Sequence, residues 1–520
     1  MPDLSSLLSE SRKSPSMIHH VHFTSSKSRA YVIISGCVDH MSNAVLQICV
    51  THFVHHIGPA GLASAQNPAQ TCRYDKMSSP LSLVYGPRSP PLWNKTLADL
   101  IHEQELNALL AKALLGGGFK RGDCVGIMAG NCYQYIEVFL GAGRIGCPVA
   151  VFNNTFSPRE LKAMIERTEV CIINNGRYLG LAMELTEEDV LCSPPPLFHA
   201  FGLVIGFLTS FCHGSKIVFP ASTFDASAAV DAIVQEKTTA LLGVPSMLLA
   251  ILEELQKTPR RIETVRTGMC GGSAVSPALI RRLEQEMSLP HMLSAFGMTE
   301  TGPVTFATSI EDTRNNILGT VGQVLPHFAA KVVDGEDNIV PRGTRGHICT
   351  SGYGLQQGYW RDEAQTAQAM KSDADGVRWM YTGDEGFLDQ AGYMHITGRI
   401  KDIIIRGGEN ISPIEIEDRL LEHPGVNECC VVGLEDSLYG EVVSCFLGSS
   451  GGTRPDDQEI RSWVTAEMDH TKAPRYIFWL GESDVGEELP KTGSGKYQKH
   501  LIRAQGNALV VKRRNVRPKL

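Results

Sequence analysis

The sequence has no paired-cysteine motif. Its 14 cysteines are scattered over 520 residues, with no C-x-x-C pair and no Cys/His spacing suited to zinc. A reducing compartment is the natural reading, with most thiols buried as small apolar groups. Long apolar runs are missing too. None reaches the ~18 residues of a membrane-spanning helix, and the best stretch, Tyr31–Val50, is interrupted by Asp39 and His40. The first 30 residues are polar and serine-rich, so no cleavable leader is expected. Positive charge is not in excess either. A net charge of -8 argues against nucleic acid or an anionic membrane as the main partner. What is there is an ordinary globular composition, 43% apolar and 20% charged, on a chain long enough for several subdomains.

Taken in order, the chain starts without pattern. Residues 1–80 carry seven of the 17 histidines (His19, His20, His22, His40, His52, His55, His56) at irregular spacings. That reads as a solvated, loosely packed segment, not a metal site. From Leu81 the pattern sharpens. A helix over Leu97–Leu115, a strand at Cys124–Met128, a helix at Tyr133–Arg144 and a strand at Pro148–Phe152 follow one another. Ser157-Pro158-Arg159-Glu160 reads as a capping box opening a further helix. The alternation continues through Lys216–Phe219, Ser227–Gln235, Thr239–Gly243 and a helix at Pro277–Met287 introduced by Ser276. An α/β fold with helix-covered sheets is expected. After Lys331, short strands and turns predict a β-rich subdomain, and beyond Asp402 a small α+β unit follows. The boundaries expected are 1–80, 81–401, 402–505 and a basic tail, 506–520.

One stretch, Tyr381–Glu415, concentrates the local signals. Gly386–Asp389 and Tyr393–Thr397 predict a hairpin turning at Gly392. A strand at Asp402–Arg406 breaks on Gly407-Gly408, where positive φ is free of cost. Ser412-Pro413-Ile414-Glu415 reads as a capping box with proline at the first helical position. Asp384 follows Thr382-Gly383 in an expected tight turn, and Arg399 ends the hairpin. A carboxylate can accept both hydroxyls of a ribose, and a guanidinium can fork onto hydroxyl or phosphate oxygens.

Four more stretches could carry chemistry. Pro194–Leu203 sets His199 in an apolar turn after a strand, and Met269–Pro277 is a Gly-Gly turn entering a helix. Ser294–Pro303 puts Thr299 and Glu300 just beyond a strand end, where ligands of α/β proteins commonly lie. Leu489–Lys499 reads as a mobile Gly/Ser loop with Lys491, Lys496 and Lys499.

In this order, FGMTETGP, YTGDEGFLDQAGY, GRIKDIIIRGGENISPIEIE and LPKTGSGK resemble the adenylate-forming enzymes, which include acyl-CoA synthetases, luciferases and peptide-synthetase adenylation domains. The similarity runs from Leu81 to Ala504 and is greatest to fungal medium- or long-chain acyl-CoA ligases. It implies an α/β body of helix-covered sheets with a β-rich subdomain, a small α+β C-terminal lid, and a two-step reaction using ATP, Mg²⁺ and coenzyme A. By the same resemblance, Asp384 and Arg399 hold the ribose, and Gly271, Gly272, Ser273, Phe296, Gly297 and Met298 wall the adenine. Thr299 bonds a phosphate oxygen and Glu300 holds the metal. Lys496 meets charge at the α-phosphate, His199 lines the acyl pocket, and Asp402 is the hinge. Gly407, Gly408 and Glu409 lie on the CoA side.

The resemblance departs at one place. The family's Ser/Thr/Gly-rich phosphate loop should lie between the Ser157 helix and the His199 motif, but residues 169–173 run almost directly into Asn174-Asn175-Gly176. Neither Gly116–Lys120 nor Ser449–Thr453 has the spacing to replace it. A smaller gap falls near Gln104–Leu106. The expectation is retained nucleoside contacts with impaired adenylate formation. Three functions stay open on the sequence: an acyl-CoA ligase for fatty or aromatic acids, a nucleotide-binding relative without turnover, and an adenylation domain that loads a carrier. The last three residues, Pro518-Lys519-Leu520, resemble a peroxisomal address or belong to a solvated basic tail.

Overall fold

The computed structural model describes residues 20–26, 29–35, 81–92, 108–116, 119, 125–127, 129–147, 149–151, 172–273, 275–359, 362–449, 454–492 and 497–516. The first described elements are β1 (His20–Ser26) and β2 (Arg29–Ser35), an antiparallel hairpin. After β3 (Leu83–Tyr85), which belongs to another sheet, β4 (Val125–Ile127) and β5 (Val149–Val151) complete a four-stranded sheet in the order β1-β2-β4-β5. Within the patternless N-terminal segment, β2 pairs in parallel with β4 through Ile33 and Ile34. The alternation expected between 133 and 151 holds, and the helix Tyr133–Arg144 has the bounds its pattern predicts. The Ser157 box, the helix before Ala108 and residues 169–171 of the phosphate-loop departure lie outside the described residues.

The central sheet has seven strands: β6 (Val190–Cys192), β7 (Lys216–Val218), β8 (Ala240–Gly243), β9 (Thr267–Gly271), β10 (His291–Gly297), β11 (Val304–Ala307) and β12 (Gln323–Val324). Their order is β12-β11-β10-β9-β8-β6-β7. The pairs from β7 to β10 are parallel, which buries both faces, and β8 and β9 have every residue buried. The helix Pro277–Met287 starts as its sequence dictates: Ser276 accepts from the Leu279 N–H and proline takes the first turn.

The β-rich part begins at β13 (Phe328–Val333) and continues with β14 (Gly346–Gly352), β15 (Met370–Ser372), β16 (Arg378–Leu388) and β17 (Met394–Arg399). It also takes in β3, which pairs with β13 across more than 240 residues of chain. The expected hairpin is β16–β17, but β16 reaches back to Arg378. Asp384 therefore sits inside a strand and not in a tight turn, and Gly383, at φ +78°, lies where the pairing with β14 shifts register.

Beyond a single 3₁₀ turn, Ile400–Asp402, the last unit contains β18 (Ile404–Arg406), β19 (Glu409–Ile411), β20 (Val426–Asp436), β21 (Gly440–Ser449) and β22 (Tyr476–Trp479). Asp402 belongs to the turn and not to the strand expected from it. Gly407 and Gly408, both at positive φ, form the two-residue turn that folds β18 back onto β19. The helix Pro413–Leu421 starts after Ser412, but no reciprocal capping box forms. Ser412 Oγ instead donates to the Thr397 carbonyl, and Glu415 bonds Arg345 and Lys472. Residues from Lys499 to Val516 form one helix, so the expected tail from 506 continues the fold, and Arg513 pairs with Glu482 at 2.6 Å. No helix among the described residues is long and apolar enough to cross a membrane.

Candidate active site

The parallel strands β6, β8, β9 and β10 end along one edge of the central sheet, and the expected site residues follow those ends. After β6 comes His199, half-buried, whose Nδ1 accepts the Phe201 N–H at 3.1 Å, so that Nε2 holds the proton of the neutral ring. A fully buried π-helical segment, Phe201–Leu208, continues from it. Gly271 ends β9 opposite Ala295 of β10, which brings Gly271-Gly272-Ser273 alongside Phe296-Gly297. Met298 then enters a 3₁₀ turn, Thr299–Thr301. Thr301 pins that turn: its hydroxyl accepts from the Met298 N–H at 3.2 Å and donates to the Met298 carbonyl at 2.9 Å. Thr299 is left exposed and Glu300 half-buried.

Asp384 and Arg399 face each other across β16–β17, with Arg399 Nε 3.1 Å from Asp384 Oδ1. The side chain of Asp384 is 11% exposed and that of Arg399 50%, so the carboxylate is fixed and the guanidinium is open to solvent. The strand backbone before Asp384 is held from both sides. Thr382 Oγ1 donates to the Ile348 carbonyl at 3.0 Å, and the Gly383 N–H donates to His347 Nε2 at 2.9 Å. Burial, aided by the Lys371 charge, lowers the pKa of His347, which favours the neutral ring that this acceptor role needs. Nothing in the sequence pattern marked His347, since its partner lies 36 residues away.

The residues assigned to the lid are arranged differently from the expectation. Lys499 is no part of a mobile loop: Nζ lies 2.7 Å from a Glu417 oxygen and 3.1 Å from the Val431 carbonyl. Burial works against its charge, but Glu417, with Asp402 behind it, holds its pKa above the usual lysine value. Lys491 and Tyr497 both bond Glu428 Oε1, each at 2.8 Å, and close the base of the loop that carries Lys496. Lys496 itself lies outside the described residues. Gly407, Gly408 and Glu409 are exposed at the β18–β19 turn, where the Gly407 N–H donates to the Tyr439 carbonyl at 2.7 Å. Arg345–Glu415 at 2.5 Å and Arg281–Glu422 at 3.6 Å connect this unit to the body.

Magnesium needs few protein ligands, because phosphates and waters fill most of its octahedron. Glu300 fits that demand. One carboxylate oxygen is bonded by Tyr359 and the other has no hydrogen-bond partner among the described residues. No group of three or more His, Cys, Asp or Glu side chains among the described residues forms a metal cage of its own.

A parallel sheet with loops gathered at its strand ends, a carboxylate–guanidinium pair on a second sheet and a small α+β unit make an α/β protein with a candidate ligand site at the strand ends. The chain belongs to the AMP-binding enzyme family, the adenylate-forming, ATP-dependent ligases. The family's main domain matches residues 104–178 and 172–360, and its C-terminal domain matches 415–496. The acyl-CoA ligase cnsG of Penicillium expansum is 40% identical over 467 residues, covering 82% of this chain and 97% of that protein. The acyl-CoA ligase sidI of Aspergillus fumigatus is 38% identical over 509 residues, covering 78% of this chain and 86% of that protein. Among solved structures, ATP-bound MatB from Rhodopseudomonas palustris shares the fold at a TM-score of 0.69 and 22% identity, covering 79% of this chain and 93% of its own. The anthranilate CoA ligase AuaEII in complex with anthranoyl-AMP does so at 0.71 and 19%, covering 80% and 98%.

Proposed function

We propose that this enzyme activates a fatty or related carboxylic acid with ATP and transfers the acyl group to coenzyme A. The carboxylate attacks the α-phosphorus, acyl-AMP forms and pyrophosphate leaves. The CoA thiol then attacks the acyl carbonyl, the acyl–oxygen bond breaks, and AMP leaves. The observation that carries this reading is the 40% identity to an acyl-CoA ligase over nearly all of that relative's length. Asp384 and Arg399 hold the ribose, while Gly271–Ser273 and Phe296–Met298 wall the adenine. Thr299 bonds a phosphate oxygen, and Glu300 holds Mg²⁺, which neutralises phosphate charge when bound. Lys496 stabilises charge at the α-phosphate. His199 lines the acyl pocket, and the 402–505 unit turns about Asp402 to bring Gly407–Glu409 to the thiol.

The departure at residues 169–173 shapes the balance of the two steps. The main family match falls into two stretches that meet at residues 172–178. The alignment to sidI spans 509 residues but takes up only 78% of this 520-residue chain, leaving about 100 positions that this chain does not fill. Both fit a body without the phosphate cradle. Losing one preorganised donor typically costs ~10²–10³ in rate. ATP–pyrophosphate exchange should therefore run near background, while supplied acyl-AMP and CoA give measurable thioester across a panel of fatty and aromatic acyl groups. Robust exchange would show that another segment supplies the cradle, and no thioester from any acyl-AMP would overturn the ligase reading. The proposed location is cytoplasmic or peroxisomal, and diffuse fluorescence of a reporter bearing Pro518-Lys519-Leu520 would remove the peroxisomal part.

A further inference from the structure

The loop between β14 and the helix Glu363–Ala369 runs against the Thr299–Thr301 turn with no space between the two backbones. A Cβ on Gly302 would come 2.9 Å from the Gly354 Cα, and one on Gly354 would come 2.5 Å from the Thr301 carbonyl oxygen. Two hydrogen bonds then grip Glu300 from the same loop. The Gln356 N–H donates to the Glu300 carbonyl at 2.9 Å, and the Tyr359 hydroxyl donates to Glu300 Oε1 at 2.9 Å. The loop is itself anchored, because the Tyr359 N–H donates to Thr366 Oγ1 at 2.9 Å and Arg378 bonds the Gln356 carbonyl.

We infer that Tyr359 is a positioning residue for the metal-side carboxylate: by occupying Oε1 it fixes the Glu300 rotamer and leaves Oε2 as the oxygen offered to a divalent cation carried by a nucleotide triphosphate. A glutamate side chain otherwise samples many rotamers, and ordering it has an entropy cost at the moment the metal arrives. The phenol suits this task. Its single O–H points at the carboxylate and can only donate to it. A hydrogen bond to a charged acceptor is among the stronger ones in proteins.

The inference rests on Glu300 as the metal-side residue, and the test separates the two. ATP affinity of the full chain is measured calorimetrically with Mg²⁺ and with chelator, and the ratio is the metal-dependent gain. Glu300→Gln should abolish the gain. Tyr359→Phe should cut it by up to about tenfold, with AMP binding unchanged and with no additional loss in the double variant. A Tyr359→Phe ratio equal to wild type, or equal losses with and without metal, would overturn the positioning role. An unchanged gain in Glu300→Gln, or no gain in the wild type, would overturn the assignment of Glu300 and the inference with it. Thermal unfolding of each variant checks that the fold persists.

Discussion

Replacing Asp384 with asparagine separates nucleotide binding from stability. The side chain it keeps is of the same size, so packing in β16 is preserved. Its partner Arg399 is 50% exposed, and water can take over that guanidinium once the carboxylate is gone. An ion pair with one half-exposed member contributes about 0–1 kcal/mol. The melting temperature should then move by no more than about 1–3 °C. Binding is another matter. Two ribose hydroxyls donating to a carboxylate make charge-assisted bonds of ~1.5–3 kcal/mol each, and an amide has one acceptor oxygen in place of two. A loss of roughly 2–4 kcal/mol follows, which weakens AMP about 30- to 1000-fold. Titration calorimetry with AMP, alongside thermal unfolding, reads both quantities. An AMP affinity within threefold of wild type would refute the ribose role, and a large fall in melting temperature would refute the small stability contribution assigned to the pair.

Asp402→Pro removes an N–H from the turn between the body and the last unit, and should slow one half-reaction while sparing the other; equal loss in both, or none, would count against a pivot there. Glu415 is held below the ordinary glutamate pKa, since the Lys472 and Arg345 bonds outweigh the opposing effect of burial. Because its folded pKa is depressed, its stabilisation is complete above the unfolded value of ~4.3 and is lost as pH falls through the lower folded value. Glu415→Gln should flatten that acid limb in chemical denaturation and leave the slope near pH 7 unchanged. Ser276→Ala deletes the cap on the helix Pro277–Met287 and should lower stability by about 1 kcal/mol, read by urea unfolding, with no effect on AMP affinity.

What the sequence determined by itself is what short-range physics governs. Caps, prolines and periodicity set the helices Tyr133–Arg144 and Pro277–Met287 to the residue. Two adjacent glycines set the turn between β18 and β19, and the order of the motifs fixed the family. Local signals stopped being sufficient where a distant partner competed for the same atom. Ser412 and Glu415 have the spacing of a capping box, yet the Thr397 carbonyl takes the hydroxyl, and Arg345, 70 residues away, takes the carboxylate. Lys499 reads as a solvated loop lysine until β20 and the Pro413 helix bring Val431 and Glu417 to it across 68 and 82 residues. His347 and Tyr359 have no signature at all, because a hydrogen bond to a backbone N–H or to a carboxylate 59 residues away leaves no spacing to read. Only the tertiary structure chooses among such pairings. A buried donor or acceptor must be satisfied by whichever group the fold delivers within about 3 Å.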